Sequence, residues 1–225
     1  MKLTLLTTAQ KPPPPRKTRA PLSQLEVGER RRAATRAALL NAAFDILGEG
    51  HGRTLRIEEV CERAAVVRTT FYNHFDSVEQ VLSALAEPLS HEFNVAVHAR
   101  TRQLPSMVEQ VAMGIRLYMH RAAENPKWGW AMVNISAIEP VMGRETNSIL
   151  VQDLARGMKL GDFKIESLQL ATDLVSGISF AGMISILTGK TPKDYPEQIT
   201  AKVMQMLGVS ASTVRRVVNM PLPEI

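Results

Sequence analysis

Apolar residues recur along this chain at helical intervals, and no stretch shows the alternation expected of a half-buried strand. From Arg30 onward Ala37, Leu40, Phe44 and Leu47 repeat on one face, and Gly48 and Gly50 close the run. Ile57, Val60, Cys61 and Ala64 mark a short second helix, and a third follows Val67 and reaches Phe75. Ser77 with Gln80 three residues later has capping-box spacing, so a fourth helix starts there and runs toward Arg102, bent near Pro88. Val108, Val111, Ala112, Ile115, Tyr118 and Ala122 define a long amphipathic helix that stops before Asn125-Pro126. Further helices are expected at 128–138, up to Met158 with a break at Gly161, at 168–187, and near 197–207 and 210–219. The 168–187 segment is apolar on nearly every side, which calls for partners on both faces: the domain core and a second subunit. The expected fold is all-α. Residues 1–28 read as a disordered, basic, Pro-rich leader, 29–76 as a three-helix domain and 77–225 as a larger helical domain.

Composition narrows the function classes. A single cysteine excludes an intramolecular disulfide framework and fits a reducing compartment. The start has no signal-peptide core, and the apolar run at 175–187 falls short of the roughly 20 residues that span a bilayer. A soluble cytoplasmic protein is therefore expected. Net charge is +5, but the first 36 residues carry nine Lys and Arg against two Glu. Their net of +7 leaves −2 for the other 189 residues, so the excess positive charge is N-terminal and points to a polyanion partner: nucleic acid or an anionic membrane surface. The KPPPPRK stretch at 11–17 reads as a stiff linker or a proline-recognition ligand.

Two short helices joined by a tight turn have the dimensions of a helix-turn-helix, with small residues Cys61, Ala64 and Ala65 where the helices cross. The stretch from Arg30 to Leu82 resembles the DNA-binding domain of TetR-type (tetracycline-repressor) transcriptional regulators. The residues that carry the likeness are Ala43-Phe44 and Gly50, Ile57-Glu58-Glu59-Val60-Cys61, Ala64-Ala65-Val66, Thr70-Phe71-Tyr72-Asn73-His74-Phe75, and Ser77 with Glu79. The resemblance implies DNA contacts by Arg30, Arg31, Arg32, Arg56, Arg68, Thr69, Thr70, Tyr72, Asn73 and His74, with Phe71 and Phe75 in the core. It also implies a homodimer, joined through the 168–187 helix and the one after it, that represses transcription until a small hydrophobic effector binds in the C-terminal domain. The chain departs from the family pattern at Ala65, where Gly is usual, at Val67, where a capping Ser or Thr is usual, and at Val78, where a phosphate-binding Lys is usual. Arg56 stands where a capping Thr or Ser often sits.

Ten of the eleven methionines follow residue 106, and Met adapts to varied apolar shapes. Met113, Tyr118, Trp128, Trp130, Met132, Phe163 and Met183 are the candidates to line an effector pocket. No cofactor, metal or catalytic residue is expected. His74, Asp76 and Glu79 lack metal-ligand spacing, and His91 and His98 stand about 10 Å apart along a helix. Gly177-Ile-Ser179-Phe-Ala181 copies part of a nucleophile elbow without a preceding strand, and its small residues read better as a helix-packing face. The rival to a ligand-controlled DNA-binding regulator is a protein whose basic arm binds acidic surfaces without sequence choice or ligand response.

Overall fold

The computed structural model describes residues 23–138 and 142–225, and these contain ten α-helices and no strand. The helices are α1 (Gln24–Leu47), α2 (Ile57–Arg63), α3 (Arg68–Tyr72), α4 (Val78–Thr101), α5 (Met107–Glu124), α6 (Pro126–Ile138), α7 (Met142–Leu160), α8 (Leu168–Leu187), α9 (Tyr195–Met206) and α10 (Ala211–Val218). The chain divides into two compact units, residues 1–34 and 35–225. Most of the expected leader lies outside the described residues.

In the first unit the helix begins earlier than the apolar pattern suggests. Ser23 and Glu26 form a capping box: the Glu26 N–H donates to Ser23 Oγ (3.3 Å) and the Ser23 N–H donates to Glu26 Oε2 (2.8 Å). The first turns of α1 expose nearly every side chain, so no apolar stripe announces them. Farther along α1 the buried stripe is Leu39, Ala42, Ala43, Ile46 and Leu47, while Leu40 and Phe44 are half-buried and Ala37 is exposed. This stripe packs with Leu55, Val60, Cys61, Phe71 and Phe75 into one apolar cluster that continues into α4 and α6.

The third helix is shorter than expected, ending at Tyr72, and the chain turns before Ser77. Ser77 caps α4 by accepting from the Gln80 N–H, and the Gln80 side chain reaches back to the Asp76 N–H, one residue beyond the usual capping-box partner. Pro88 lies inside α4, which continues past it to Thr101. Gly161 and Gly208, both at φ 78°, reverse the chain after α7 and α9 in the left-handed conformation that glycine adopts without a Cβ clash.

α5 forms the centre of the larger unit, packing on α4, α6, α7, α8, α9 and α10 and burying eleven of its side chains. Two of those are charged. Arg116 donates from Nε to Glu197 Oε1 (3.0 Å) and from Nη1 to the Met220 carbonyl (2.7 Å), which ties α5 to α9 and to the chain after α10. Glu109 pairs with Arg216 of α10. His120 Nε2 lies 2.9 Å from the same Glu197 oxygen. Burial pushes the Glu197 carboxyl up, but the hydrogen bonds from His120 and Arg116 outweigh it and hold the group below its ordinary range.

α8 spans the 168–187 segment expected from the sequence. Its most apolar 18-residue stretch meets the length and composition of a membrane span, with a mean hydropathy of 1.7, yet only 28% of that stretch is buried within the chain. α8 packs on α5, α6, α7 and α9, as a core helix does. Its small residues divide. Gly182 meets Ile199 and Met119 closely, whereas Ser176, Gly177 and Ala181 are exposed, so the expected packing face is confined to Gly182.

Removing one partner of a buried ion pair strands the other. Glu197→Ala is expected to cost about 3 kcal/mol in urea denaturation at neutral pH. Because the folded-state pKa of Glu197 is depressed, its contribution is present above the ordinary carboxylate range and is lost as pH falls through the lowered value. The native chain therefore loses stability on acidification more steeply than the variant.

Candidate nucleic-acid interface and ligand cavity

α2 ends in a Schellman motif. The Ala65 N–H donates to the Glu62 carbonyl (3.1 Å) and the Val66 N–H to the Cys61 carbonyl (3.0 Å). The residue that must turn left-handed is Ala65, at φ 54°. A Cβ in that conformation meets the following carbonyl oxygen, so the reversal is strained where glycine would be free. The N-cap of α3 is Val67, which is 66% exposed and offers no side-chain acceptor to the free N–H groups of the first turn. Phe71 (0% exposed) and Phe75 (3%) anchor the segment, with their rings 6.0 Å apart. Arg36 covers Phe75 at 4.9 Å, so one charge of the N-terminal run is held against the core.

The sequence-predicted contacts of this unit gather on α2, α3 and their flanks. Arg56 is the exposed N-cap of α2, Arg68, Thr69, Tyr72 and Asn73 are exposed, and Thr70 and His74 are half-exposed. Arg68 is engaged: Nη1 lies 2.9 Å from Glu58 Oε1, and a hydrogen bond with the Tyr72 hydroxyl followed by the Glu58 charge pushes its pKa further up. Both side chains of that ion pair are more than half exposed, so its worth is small. Val78 packs on the apolar cluster instead of offering a charge. Arg30, Arg31 and Arg32 belong to the first unit and are exposed there. Cys61 is 5% exposed, and burial pushes its thiol pKa up, away from the reactive thiolate.

The second feature is a cavity of about 540 Å³ between α4, α5, α6, α7 and α8. That volume is in the range of small-molecule sites. Val97, Val111, Ile115, Ile149, Leu150, Val175 and Phe180 make most of it apolar. Its polar groups converge from five helices: Asn94, His98 and Thr101 of α4, Gln110 of α5, Ser136 of α6, Asp153 of α7 and Ser176 and Ser179 of α8. His98 Nδ1 and Ser179 Oγ are buried without a hydrogen-bond partner among the described residues. Burial pushes the Asp153 carboxyl up, opposed by the positive charges of His98, Arg102 and Arg156. Chemically, this is an apolar chamber with hydrogen-bonding groups waiting at its wall.

Of the predicted lining residues, Tyr118, Met132 and Met183 border the cavity. Met113 packs instead with Val97 and Leu117. Trp128 donates its indole N–H to the Leu89 carbonyl (3.0 Å) and stacks edge-on to Phe93 at 5.2 Å, which pins α6 to α4. Trp130 stands edge-on to His51 at 5.7 Å, and Phe163 fills the space beside Gly157. Choosing large adaptable side chains ignores which face of each helix they occupy. A usable signal was present in Asn94, His98 and Thr101, whose i, i+4, i+7 spacing puts three polar groups on one helical face. Among the described residues no three His, Cys, Asp or Glu side chains are grouped to hold a metal ion.

Comparison with known proteins bears on both features. The family profile described as tetracyclin repressor-like, C-terminal domain matches residues 106–220, just over half the chain. The structure of RolR in complex with its ligand resorcinol shares 30% identity and a TM-score of 0.70, covering 88% of this chain and 99% of that one. The chain belongs to the TetR family. Its relatives are transcription regulators rather than enzymes, and it shares their arrangement of an N-terminal DNA-binding domain and a C-terminal ligand-binding domain. Fold likeness extends to FadR from Bacillus subtilis in complex with stearoyl-CoA (16% identity, TM-score 0.60, covering 76% and 96% of the two chains). A putative TetR-family regulator from Shewanella sp. PV-4 is similar in fold as well (16%, TM-score 0.64, 77% and 97%). No curated protein matches the chain.

The two departures in the turn of this TetR-family chain are testable directly. Ala65→Gly and Val67→Ser are each expected to raise the free energy of unfolding by about 1 kcal/mol in urea titrations, the first by relieving the left-handed Cβ and the second by adding a cap.

Proposed function

We propose that this TetR-family regulator is a homodimeric repressor that binds operator DNA through α2 and α3 and releases it when a small hydroxylated ring compound enters the cavity. The observation that carries the reading is the 540 Å³ apolar cavity, whose wall holds the unpartnered His98 and Ser179 atoms and the half-buried Asp153. An apolar body with one or two hydroxyls matches that lining: the ring takes the apolar walls and each hydroxyl pairs with a buried polar group. A long acyl chain would leave those groups unpaired. The resorcinol bound by RolR, at 30% identity, has this chemistry.

On the DNA side, Thr69, Thr70 and Asn73 face the groove, Tyr72 and His74 meet phosphates, and Arg68 exchanges Glu58 for a guanine edge or a phosphate. Arg30, Arg31, Arg32 and Arg56 add backbone contacts. Residues 29–76 act as the reading domain and 77–225 as the sensing and dimerisation domain. The dimer interface is the exposed apolar side of α8 together with α9, supported by the little of α8 that its own chain buries and by exposed Leu170 and Met206. An operator as partner implies a cytoplasmic location. The ligand acts by favouring the arrangement of heads that does not fit two half-sites.

A mobility-shift titration with DNA flanking the gene tests the reading. A salt-sensitive complex that survives excess random duplex and dissolves on adding resorcinol is expected. A specificity ratio near one supports a basic-arm protein instead. Thr70→Ala and Tyr72→Ala are each expected to weaken operator binding about tenfold without lowering the unfolding midpoint. Asp153→Ala is expected to weaken resorcinol binding about tenfold in calorimetry while leaving DNA affinity unchanged.

A further inference from the structure

An engineered protein cavity of about 150 Å³ holds one benzene ring. The cavity here, at about 540 Å³, is more than three times that size, so a single hydroxylated ring leaves most of it unfilled. Such a void is unfavourable: its walls lose dispersion contacts, and water finds few partners beside apolar side chains.

The chamber is also long, and its two ends differ. Gln110, Gly114 and Tyr118 stand in line on one face of α5, spaced i, i+4 and i+8, about 12 Å from first to last at 1.5 Å per residue. At the Gln110 end are His98 and Thr101 from the last turns of α4, and Asp153 of α7, whose carboxyl feels the charges of His98 and Arg102. The Gln110 side chain donates to the Leu104 carbonyl (2.9 Å) in the turn between α4 and α5, which fixes it there. At the other end the Tyr118 ring packs edge-on to Phe93 at 4.9 Å. Gly182 of α8 meets Met119, which brings Met183 to the same level, and Gly129 of α6 meets Ala122, which brings Met132 there one turn later. Asn94 adds an amide at this end, while Met132, Met183 and the Tyr118 ring give it apolar surface.

Between the two ends stands Gly114. A Cβ there meets nothing within 4 Å, so the missing side chain keeps the passage along α5 open. Glycine weakens a helix interior relative to alanine, and no neighbouring helix packs closely enough here to require it. The space it leaves belongs to the cavity.

We propose that the effector is a hydroxylated ring bearing an apolar substituent the size of a hexyl chain or a second ring, and that Gly114 is the specificity-determining residue that admits it. This rests on the reading of the cavity as the effector site. The hydroxyls sit at the Asp153 and His98 end, the substituent passes Gly114, and its tip lies among Met132, Phe180 and Met183. Hydroxyls set the orientation, and the substituent adds affinity at about fourfold per buried methylene.

Calorimetry of the full-length protein with resorcinol, hexylresorcinol and benzylresorcinol tests this. At least one of the two substituted compounds is expected to bind about a hundredfold tighter than resorcinol. Gly114→Leu is expected to cost that compound at least about tenfold more affinity than it costs resorcinol, because the leucine fills the passage and not the polar end. Should Gly114→Leu fail to fold, Gly114→Ala decides, with a smaller loss in the same direction. A gain that survives substitution of Gly114 puts the substituent elsewhere and overturns the proposal. Resorcinol binding with no gain from either substituent also overturns it and leaves the effector reading standing. No heat from any of the three compounds removes the hydroxylated-ring reading and the proposal with it.

Discussion

At the end of α1 and in the loop after it, the Leu47 and Gly50 carbonyls and the Gly52 N–H lack helical partners, and the side chain of Asn134 satisfies all three. Buried polar groups left unpaired are expensive, so the chain has few ways to join α1 to α2 without this residue in place. The consequence is geometric. The end of α1 and the loop that leads to α2 are held to α6 by directional bonds, and α6 is also a wall of the cavity.

Around that link the structure separates rigid and yielding elements. α5 is locked by Arg116 and Glu109, whose charges are buried and paired with α9, α10 and the chain that follows. α4, α6, α7 and α8 surround the cavity with few charges and leave polar atoms at its wall unpaired. The reading helices show a parallel economy. A strained Ala65 and an uncapped Val67 hold a five-residue helix that tertiary contacts through Phe71 and Phe75 keep in position.

Much of the candidate site was legible in local patterns. The helix-turn-helix followed from apolar spacing over 57–75, and the left-handed turn at Ala65 from the family resemblance, in which Gly is usual there. The cap at Ser77 followed from a serine three residues before a glutamine. The start of α1 escaped because its first turns expose nearly all their side chains, although Ser23 and Glu26 spell the cap. The pocket list went astray at Met113, Trp128, Trp130 and Phe163, which are chemically suited to a cavity but sit on faces turned to the core or the head.

The sequence by itself determined the helices, their order, the turn between α2 and α3 and the anchoring aromatics, because each depends on residues a few positions apart. Tertiary structure alone decided which residues line the cavity and what α6 connects. Asn134 bonds residues 82 to 87 positions away, Arg116 reaches Met220 across 104, and the cavity wall draws on five helices. No local periodicity encodes such pairings. They arise only when packing has set which helical faces meet.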